Sequence, residues 1–450
     1  MADKYLFDAF SPVSEKEWKQ KIQFDLKGGD YNSLLTNTND GITIKPFYHQ
    51  DSFETLEIPK PKHDSKVCQS IFVASEKIAN SIAIEALKKG ANAITFIAEK
   101  PFDYQKLFAD IPLDKATIIV EIKFLDTNFL TEFISFAKAH KMDLFLPVLS
   151  NLAKTGNWFT NSEKEDFKIL KTLLSKSGNS INLIGIDATI YQNAGANNVQ
   201  QIAYALSEFL SYLNQDILPE KVFIKVAVGS NYFFEIAKFR AIRYLFDLIT
   251  RQMHLKTSLK LIAIPSKRNK TLYDYNVNML RTTTEKMSAM LGGAEFVCSF
   301  PYDAIYHKSN EFGERIARNQ LLILKEESYF KDAYKMADGA YYIEKITLQL
   351  AEKVLELIKD IDKKGGFLSQ LKKGTIQRKI KEAAQKEQEQ FDKGELVLLG
   401  TNKYPNEKDK IKDNLELFPF VKKNPRKTII QPIIEKRLAE KLEKKRLAEE

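Results

Sequence analysis

The chain has 450 residues, of which 44% are hydrophobic and 11% aromatic, so it can bury a large core. Its net charge of +9 arises from 68 basic and 59 acidic residues that alternate toward the C-terminus, which favours a solvated surface over a nucleic-acid-binding face. No apolar run approaches the roughly 18 residues of a membrane span, and the polar start lacks a signal-peptide pattern, so we expect a cytoplasmic protein without a membrane partner.

Residues 1–60 predict an extended arm. They contain a helical stretch at 14–20, a turn at 27–30 and the segment 41–48. Several apolar residues of this arm have no obvious barrel layer to join, namely Tyr5, Leu6, Phe7, Phe10, Trp18, Phe24 and Leu26. We expect them to contact another chain, and packing within the same chain is the alternative.

Residues 61–370 predict a (β/α)8 TIM barrel, an α/β fold. Eight short apolar segments rich in β-branched residues alternate with helical patterns such as 75–87, which ends before Gly90. The predicted strands are 67–73, 93–97, 117–122, 144–149, 181–186, 222–228, 259–264 and 295–300. This alternation demands a parallel sheet covered by helices, and the absence of a glycine-rich nucleotide-binding turn argues against an open doubly wound sheet.

The interior of this barrel cannot be assigned from the sequence. Five bulky strand residues could fill the barrel axis, but the strand pattern does not show which of them point inward: Phe72, Phe96, Ile119, Phe145 and Phe223. The two cysteines, Cys68 and Cys298, lie in apolar strand-like runs, and their number excludes a disulfide framework or a cysteine-rich metal site. We expect two buried thiols.

Residues 371–450 predict a helical linker that is too polar to form a second core. The stretches 379–389 and 436–449 alternate Lys with Glu or Gln, which is typical of exposed helices with ion pairs four residues apart.

The carboxyl ends of barrel strands are where acids, bases and ligands are expected. Asp187 and Asp303 are the best acid–base candidates by position, although capping of the next helix explains each of them equally well. The five histidines show no metal-binding spacing, and no phosphate-binding loop is present: His49, His63, His140, His254 and His307. The residues alone therefore predict a barrel with few catalytic groups and do not identify a substrate.

Several motifs resemble the adenosylcobalamin-dependent acyl-CoA mutases, specifically methylmalonyl-CoA mutase. The segment 275–294, with Asn276, Asn278 and Arg281, resembles the asparagine- and arginine-containing helix of that family. Further segments agree in order and spacing, and together they cover most of residues 1–400: 24–28, 41–51, 192–196, 233–243, 315–320, 324–328 and 338–344. The resemblance implies a TIM barrel in a complex that interconverts (R)-methylmalonyl-CoA and succinyl-CoA by a radical rearrangement.

The departures from this family concern its catalytic residues. Aligned on Gln192–Ala196, the family's catalytic histidine falls on Ile190, whose side chain cannot form hydrogen bonds. The Tyr- and Arg-rich substrate-binding stretch that follows the family's arm is missing after Asp51, and residues 150–156 contain no counterpart of its carboxylate-binding arginine. The cobalt-ligand motif Asp-x-His-x-x-Gly is also missing, since no Asp stands two residues before any histidine.

The resemblance therefore implies the non-catalytic small subunit of a heterodimeric mutase, without a cobalamin-binding flavodoxin-like domain. We expect no catalytic, cofactor-binding or metal-binding residues on this chain, and adenosylcobalamin bound by the large catalytic subunit. One alternative is the barrel subunit of another acyl-CoA mutase, for example one that acts on isobutyryl-CoA. Another is a split mutase whose barrel uses a separate cobalamin-binding protein.

Overall fold

In the computed structural model, which describes residues 10–178, 180–422 and 425–450, eight parallel strands surround a common axis. They are β1 Lys66–Phe72, β2 Ala93–Ala98, β3 Thr117–Ile122, β4 Asp143–Phe145, β5 Ile184–Asp187, β6 Lys221–Val228, β7 Ser258–Pro265 and β8 Phe296–Cys298. The predicted (β/α)8 barrel is confirmed. A short antiparallel ribbon, Thr36–Asn37 with Thr43–Ile44, precedes it.

Helices cover the outside of the barrel and continue beyond its last strand. In the described residues they are α1 Glu15–Asp25, α2 Glu76–Lys88, α3 Tyr104–Leu107, α4 Thr127–Ala139, α5 Val148–Thr155, α6 Glu163–Ser177, α7 Thr189–Asn193, α8 Asn198–Leu213, α9 Tyr232–Gln252, α10 Val277–Leu291, α11 Glu311–Glu326, α12 Tyr341–Lys363, α13 Gly366–Lys372, α14 Thr375–Asp392 and α15 Glu440–Glu449. Within these ranges, none of the helices is both long enough and apolar enough to cross a lipid bilayer.

The barrel closes between β4 and β5. The backbone N–H of Leu144 donates to the Asn182 carbonyl at 2.9 Å, and that of Leu146 donates to the Leu183 carbonyl at 3.0 Å. The Asn182 amide donates to the carbonyls of Leu144 and Ile184, at 2.8 and 3.0 Å. The predicted strand 144–149 is wrong at its end, because α5 begins at Val148 immediately after Pro147.

Side chains alternate between the helices outside and the barrel axis inside, as the two-residue period of a strand requires. One buried cluster combines residues from seven strands and fills the axis: Cys68, Ala93, Ile119, Phe145, Phe223, Ile262, Phe296 and Cys298. The Phe223 and Phe296 rings lie 5.8 Å apart, and a Cβ added to Gly185 would meet the Phe145 ring at 2.6 Å. The barrel axis is therefore plugged by aromatic side chains.

Two of the five bulky residues considered from the sequence do not contribute to this plug. Phe96 faces outward, where its ring packs edge-on against Phe108 at 5.4 Å. Phe72, the last residue of β1, is 52% exposed.

The arm is anchored to the barrel along its second half. The buried Asp40 carboxylate accepts hydrogen bonds from the backbone N–H groups of Asn198 and Val199, so it caps the start of α8. Ile42 is buried in the core outside the barrel. By contrast, α1 contains no buried residue, and residues 1–9, with the predicted contacts Tyr5, Leu6 and Phe7, lie outside the described residues.

Residues 379–389 lie in α14, as predicted, but the predicted exposed helix 436–449 packs partly on the barrel. Residues 429–438 run across the carboxyl end of the barrel, where the N–H of Ile433 donates to Ala153 and that of Lys436 to Asn193. Helix α15 begins only at Glu440, and its Glu443 is fully buried, 2.6 Å from Arg437. Charged residues pair with one another at this contact, which is why a polar sequence can pack on the barrel.

The plugged axis predicts a large difference between two phenylalanine variants. Phe145→Ala should lower the free energy of unfolding by about 3–5 kcal/mol, because it leaves a cavity among buried side chains. Phe72→Ala, at an exposed strand end, should cost less than about 1 kcal/mol. Urea unfolding of both variants measures this, and equal losses would show that Phe145 does not support the plug.

Candidate functional site

The carboxyl end of the barrel contains a buried group of charged residues above the aromatic plug. The Lys225 ammonium of β6 lies 2.9 Å from the Glu121 carboxylate of β3 and 2.9 Å from the Asp187 carboxylate of β5. The same ammonium lies 5.1 Å from the centre of the Phe145 ring. These inward-facing positions bring together three charges from strands that are far apart in sequence.

The charges of this group stabilise one another. Burial opposes the ionisation of Asp187, but the Lys225 and Lys154 ammonium groups outweigh it and lower the pKa of Asp187 to about 2. Burial also favours a neutral Lys225, yet Asp187 and Glu121 raise the pKa of Lys225 above its usual range. Asp187 is therefore a permanently ionised partner of Lys225 near neutral pH, which makes it a poor general base.

Glu208 of α8 lies next to this group, and its pKa is shifted in the opposite direction to that of Asp187. Its carboxyl oxygens accept hydrogen bonds from Ser150 at 2.6 Å and from the Tyr191 hydroxyl at 2.9 Å. Ser150 in turn accepts the backbone N–H of Asp187 at 2.8 Å. Burial raises the pKa of Glu208 to about 8, against the effect of these hydrogen bonds, so the side chain is largely protonated near neutral pH.

The two sequence-predicted acid–base candidates do not form a common site. Asp303, after β8, contacts His307 Nδ1 at 3.2 Å and accepts a hydrogen bond from the Asn310 amide at 2.8 Å, just before α11. Asp187 instead belongs to the Lys225 group and also accepts the Thr189 N–H at 3.2 Å. The two carboxylates therefore have separate sets of partners.

Ile190, where the sequence analysis expects the family's histidine to fall, is a core residue. Ile190 lies in α7 with no exposed surface and belongs to the main hydrophobic core. Its neighbour Gln192 accepts a hydrogen bond from the Ser266 hydroxyl at 2.5 Å. In the part of the chain that the structure describes, no group of three or more His, Cys, Asp or Glu side chains could hold a metal ion.

A cleft of about 790 Å³ lies between the barrel mouth and the C-terminal segment. Glu435 of that segment lies in it, 3.7 Å from Lys154 and 3.9 Å from Lys267, and accepts a hydrogen bond from the Asn193 amide at 3.3 Å. Burial opposes the ionisation of Glu435, but Lys267 and Lys154 outweigh it and lower its pKa. A carboxylate of the chain itself therefore occupies the position between these two lysines.

The sequence analysis identified Asp187 of this group but not Lys225 or Glu121, because these two residues lie within strands and not beyond the strand ends. A usable signal was present, since Glu121 and Lys225 are charged residues inside otherwise apolar strands. Glu208 offered no comparable signal, because a glutamate in a long helix is ordinarily exposed.

Known proteins resemble this chain over most of its length. Residues 97–448 match the family described as methylmalonyl-CoA mutase. The chain is 29% identical to the methylmalonyl-CoA mutase small subunit of Porphyromonas gingivalis, over 89% of this chain and 71% of that protein. It is 27% identical to the methylmalonyl-CoA mutase of Cereibacter sphaeroides and 26% identical to the large subunit of Streptomyces virginiae, over 86% and 90% of this chain. In both of these comparisons it spans 64% of the relative, which is less than two thirds.

The buried carboxyl of Glu208 predicts a pH-dependent stability. Because its folded pKa of about 8 lies above the ordinary value of 4.5, the unfolded chain loses this proton first, and stability falls as pH rises from about 4.5 to 8. Glu208→Gln mimics the protonated form. The slope of its unfolding free energy against pH should be smaller than that of the unaltered protein by up to roughly 1.4 kcal/mol per pH unit. Urea unfolding at pH 5, 6, 7 and 8 tests this, and parallel profiles for both proteins would contradict it.

Two lysines that contact Glu121 should differ in how much they contribute to the free energy of unfolding. Lys225→Met leaves two buried carboxylates without their central counter-charge and should cost about 3–5 kcal/mol of unfolding free energy. Lys123→Met removes a more exposed ammonium 3.7 Å from Glu121 and should cost less than about 1 kcal/mol. Unfolding in urea at pH 7 compares the two, and a small effect of Lys225→Met would mean that the ion group does not hold the mouth together.

Proposed function

The chain belongs to the methylmalonyl-CoA mutase family, and we propose that it is a non-catalytic small subunit that supports a catalytic large subunit. The complex would interconvert (R)-methylmalonyl-CoA and succinyl-CoA. The observation that carries this proposal is the plugged barrel, whose axis and mouth are occupied by the chain's own side chains.

The plug argues against a substrate passing along the axis. In the catalytic chains of the family, CoA passes along the barrel between small polar side chains. Here Phe145, Phe223 and Phe296 lie buried in the barrel interior, each at most 6% exposed. A pantetheine chain would have to displace these rings and also separate Lys225 from its two carboxylates, at a cost of several kcal/mol.

Ile190 argues against the chemical step. A histidine at this position would contact the thioester carbonyl, whereas an isoleucine side chain has no donor or acceptor. Restoring a histidine alone would not create a site, because Ile190 has no exposed surface in α7. We therefore assign the radical chemistry to the partner.

We also assign adenosylcobalamin to the large subunit. This assignment is supported by the missing cobalt-ligand motif, and in addition His307 is held by Asp303 and His49 accepts the N–H of Asp51 in its own turn. The mouth of the barrel is covered by residues 429–438. No step that involves the cofactor is therefore attributed to this chain.

The arm provides the proposed contact with the large subunit, together with the post-barrel segment 371–450. The Asp40 cap fixes the second half of the arm to α8, while α1 lies on the surface without any buried residue. Trp18 and Phe24 of α1 are 48% and 78% exposed, and large aromatic side chains of this kind dominate many protein interfaces. Binding of the partner to α1 would bury them.

The experiment that tests the function is reconstitution with the methylmalonyl-CoA mutase large subunit of the same organism. Each chain alone and both together are assayed with methylmalonyl-CoA and adenosylcobalamin after co-purification. We expect no turnover by this chain alone, and a one-to-one complex that is more active or longer-lived than the large subunit. Turnover or cobalamin binding by this chain alone would overturn the proposal.

Two further arms of the experiment separate the alternatives. Turnover of isobutyryl-CoA and not of methylmalonyl-CoA by the complex would indicate another acyl-CoA mutase. Turnover with a separate small cobalamin-binding protein, without a large subunit, would indicate a split mutase and contradict the non-catalytic assignment.

Variants of α1 test the proposed interface. Trp18→Glu combined with Phe24→Glu should raise the dissociation constant of the complex at least tenfold, because interface aromatics often contribute more than 2 kcal/mol. Ile78→Glu on α2, at a residue that is 63% exposed, is the matched control and should leave binding unchanged. Equal binding by all variants, measured by titration calorimetry, would place the interface elsewhere.

A further inference from the structure

The two cysteines of the chain lie side by side inside the barrel. Cys68 of β1 and Cys298 of β8 are partner positions in a parallel strand pair, and both belong to the inner cluster. Neighbouring strands are about 4.8 Å apart, which lies within the 4.4–6.8 Å range of Cα separations in disulfides. Residues in register on adjacent strands, with side chains on the same face, satisfy the basic spatial requirement for a covalent bond.

The surroundings of the two thiols differ. Contact with the Cys68 thiol lowers the pKa of Cys298 despite its burial, and the Ser70 hydroxyl and the Lys225 ammonium contribute in the same direction. The same contact, together with burial, raises the pKa of Cys68, which also lies 3.3 Å from the Thr95 hydroxyl. Cys298 is therefore the more readily ionised thiol, and Cys68 lies beside it as a second thiol that can react with an oxidised partner.

Access to the pair is restricted to small molecules. Cys68 and Cys298 are 0% and 1% exposed, and the Phe223 and Phe296 rings belong to the same cluster. Ser70, two residues after Cys68 on β1, is partly exposed. Oxidation of the pair therefore requires an oxidant close to the size of water, and this burial excludes a bulky disulfide reagent.

We propose that Cys68 and Cys298 form an oxidisable dithiol that hydrogen peroxide converts to a disulfide, which closes the barrel covalently between its first and last strands. The Cys298 thiolate attacks one peroxide oxygen, the O–O bond breaks, and a sulfenic acid and hydroxide form. The Cys68 sulfur then attacks the sulfenic sulfur, the S–O bond breaks, and water leaves with the Cys68 proton. In total, two thiols and one hydrogen peroxide give one disulfide and two water molecules.

The disulfide would also change the stability of the chain. It would close a loop from residue 68 to residue 298 in the unfolded chain, and long loops lose the most conformational entropy on crosslinking. We expect the midpoint of thermal unfolding to rise by about 5 °C, and the reduced value to return with dithiothreitol.

The test uses the full chain in its folded state. The protein is treated with hydrogen peroxide, quenched with catalase, unfolded, alkylated with iodoacetamide and weighed by intact mass spectrometry. We expect the oxidised chain to take up no alkyl group and to contain a crosslink between the peptides of Cys68 and Cys298, and the untreated chain to take up two. Two alkyl groups after peroxide treatment, or a disulfide between two chains, would overturn the proposal.

Single variants separate the roles of the two thiols and need no change elsewhere in the core. Cys68→Ser should stop at the sulfenic acid, which is trapped on Cys298 when the peroxide-treated chain is unfolded in the presence of dimedone, whereas Cys298→Ser should react with peroxide at least tenfold more slowly. If either variant does not fold, brief peroxide treatment of the unaltered chain, followed by unfolding in the presence of dimedone, provides the same assignment. Equal peroxide reactivity of both variants would contradict the assignment of Cys298 as the attacking thiol.

Discussion

The structure of the carboxyl end of the barrel depends on the ion pairs of the Lys225 ammonium. The ammonium lies above the Phe145 ring and between two carboxylates from different strands, so one charge connects β3, β5 and β6 across the axis. Buried charges of this kind contribute little stability compared with apolar residues, but losing one partner is costly because the others remain without compensation. The group therefore fixes a particular arrangement of strands and excludes an open passage.

The C-terminal segment extends the same arrangement outward. Lys154 lowers the pKa of Asp187 from one side and lies near Glu435 on the other, so the ion group within the barrel continues into the cleft above it. The backbone of residues 429–438 supplies hydrogen bonds to the loops at this end. Barrel enzymes use these loops to bind substrates, whereas here they bind another part of the same chain.

The sequence was sufficient to predict the barrel, because strands such as β3 and β6 are long apolar runs bounded by polar loops. It could not predict which residues plug the axis. Phe96 and Phe145 both lie in apolar strands, and only the closure of the sheet decides that one faces the helices and the other the axis. The charged residues within β3 and β6 give part of this information for their own strands, since a buried ammonium requires carboxylates on neighbouring inward positions.

The amino-acid composition could not predict where the C-terminal segment packs, for a different reason. A Glu-rich helix is ordinarily solvated, and the burial of Glu443 depends on Arg437 and on the backbone N–H of Leu272, which is far away in sequence. The arm shows the opposite case, a helix that forms but stays exposed. Helix α1 has a complete capping box and ordered turns but no buried residue, so its own hydrogen bonds specify a helix without specifying a place for it on the barrel. Exposed aromatic side chains on this helix, Trp18 and Phe24, are therefore part of the apolar surface that the fold itself leaves uncovered.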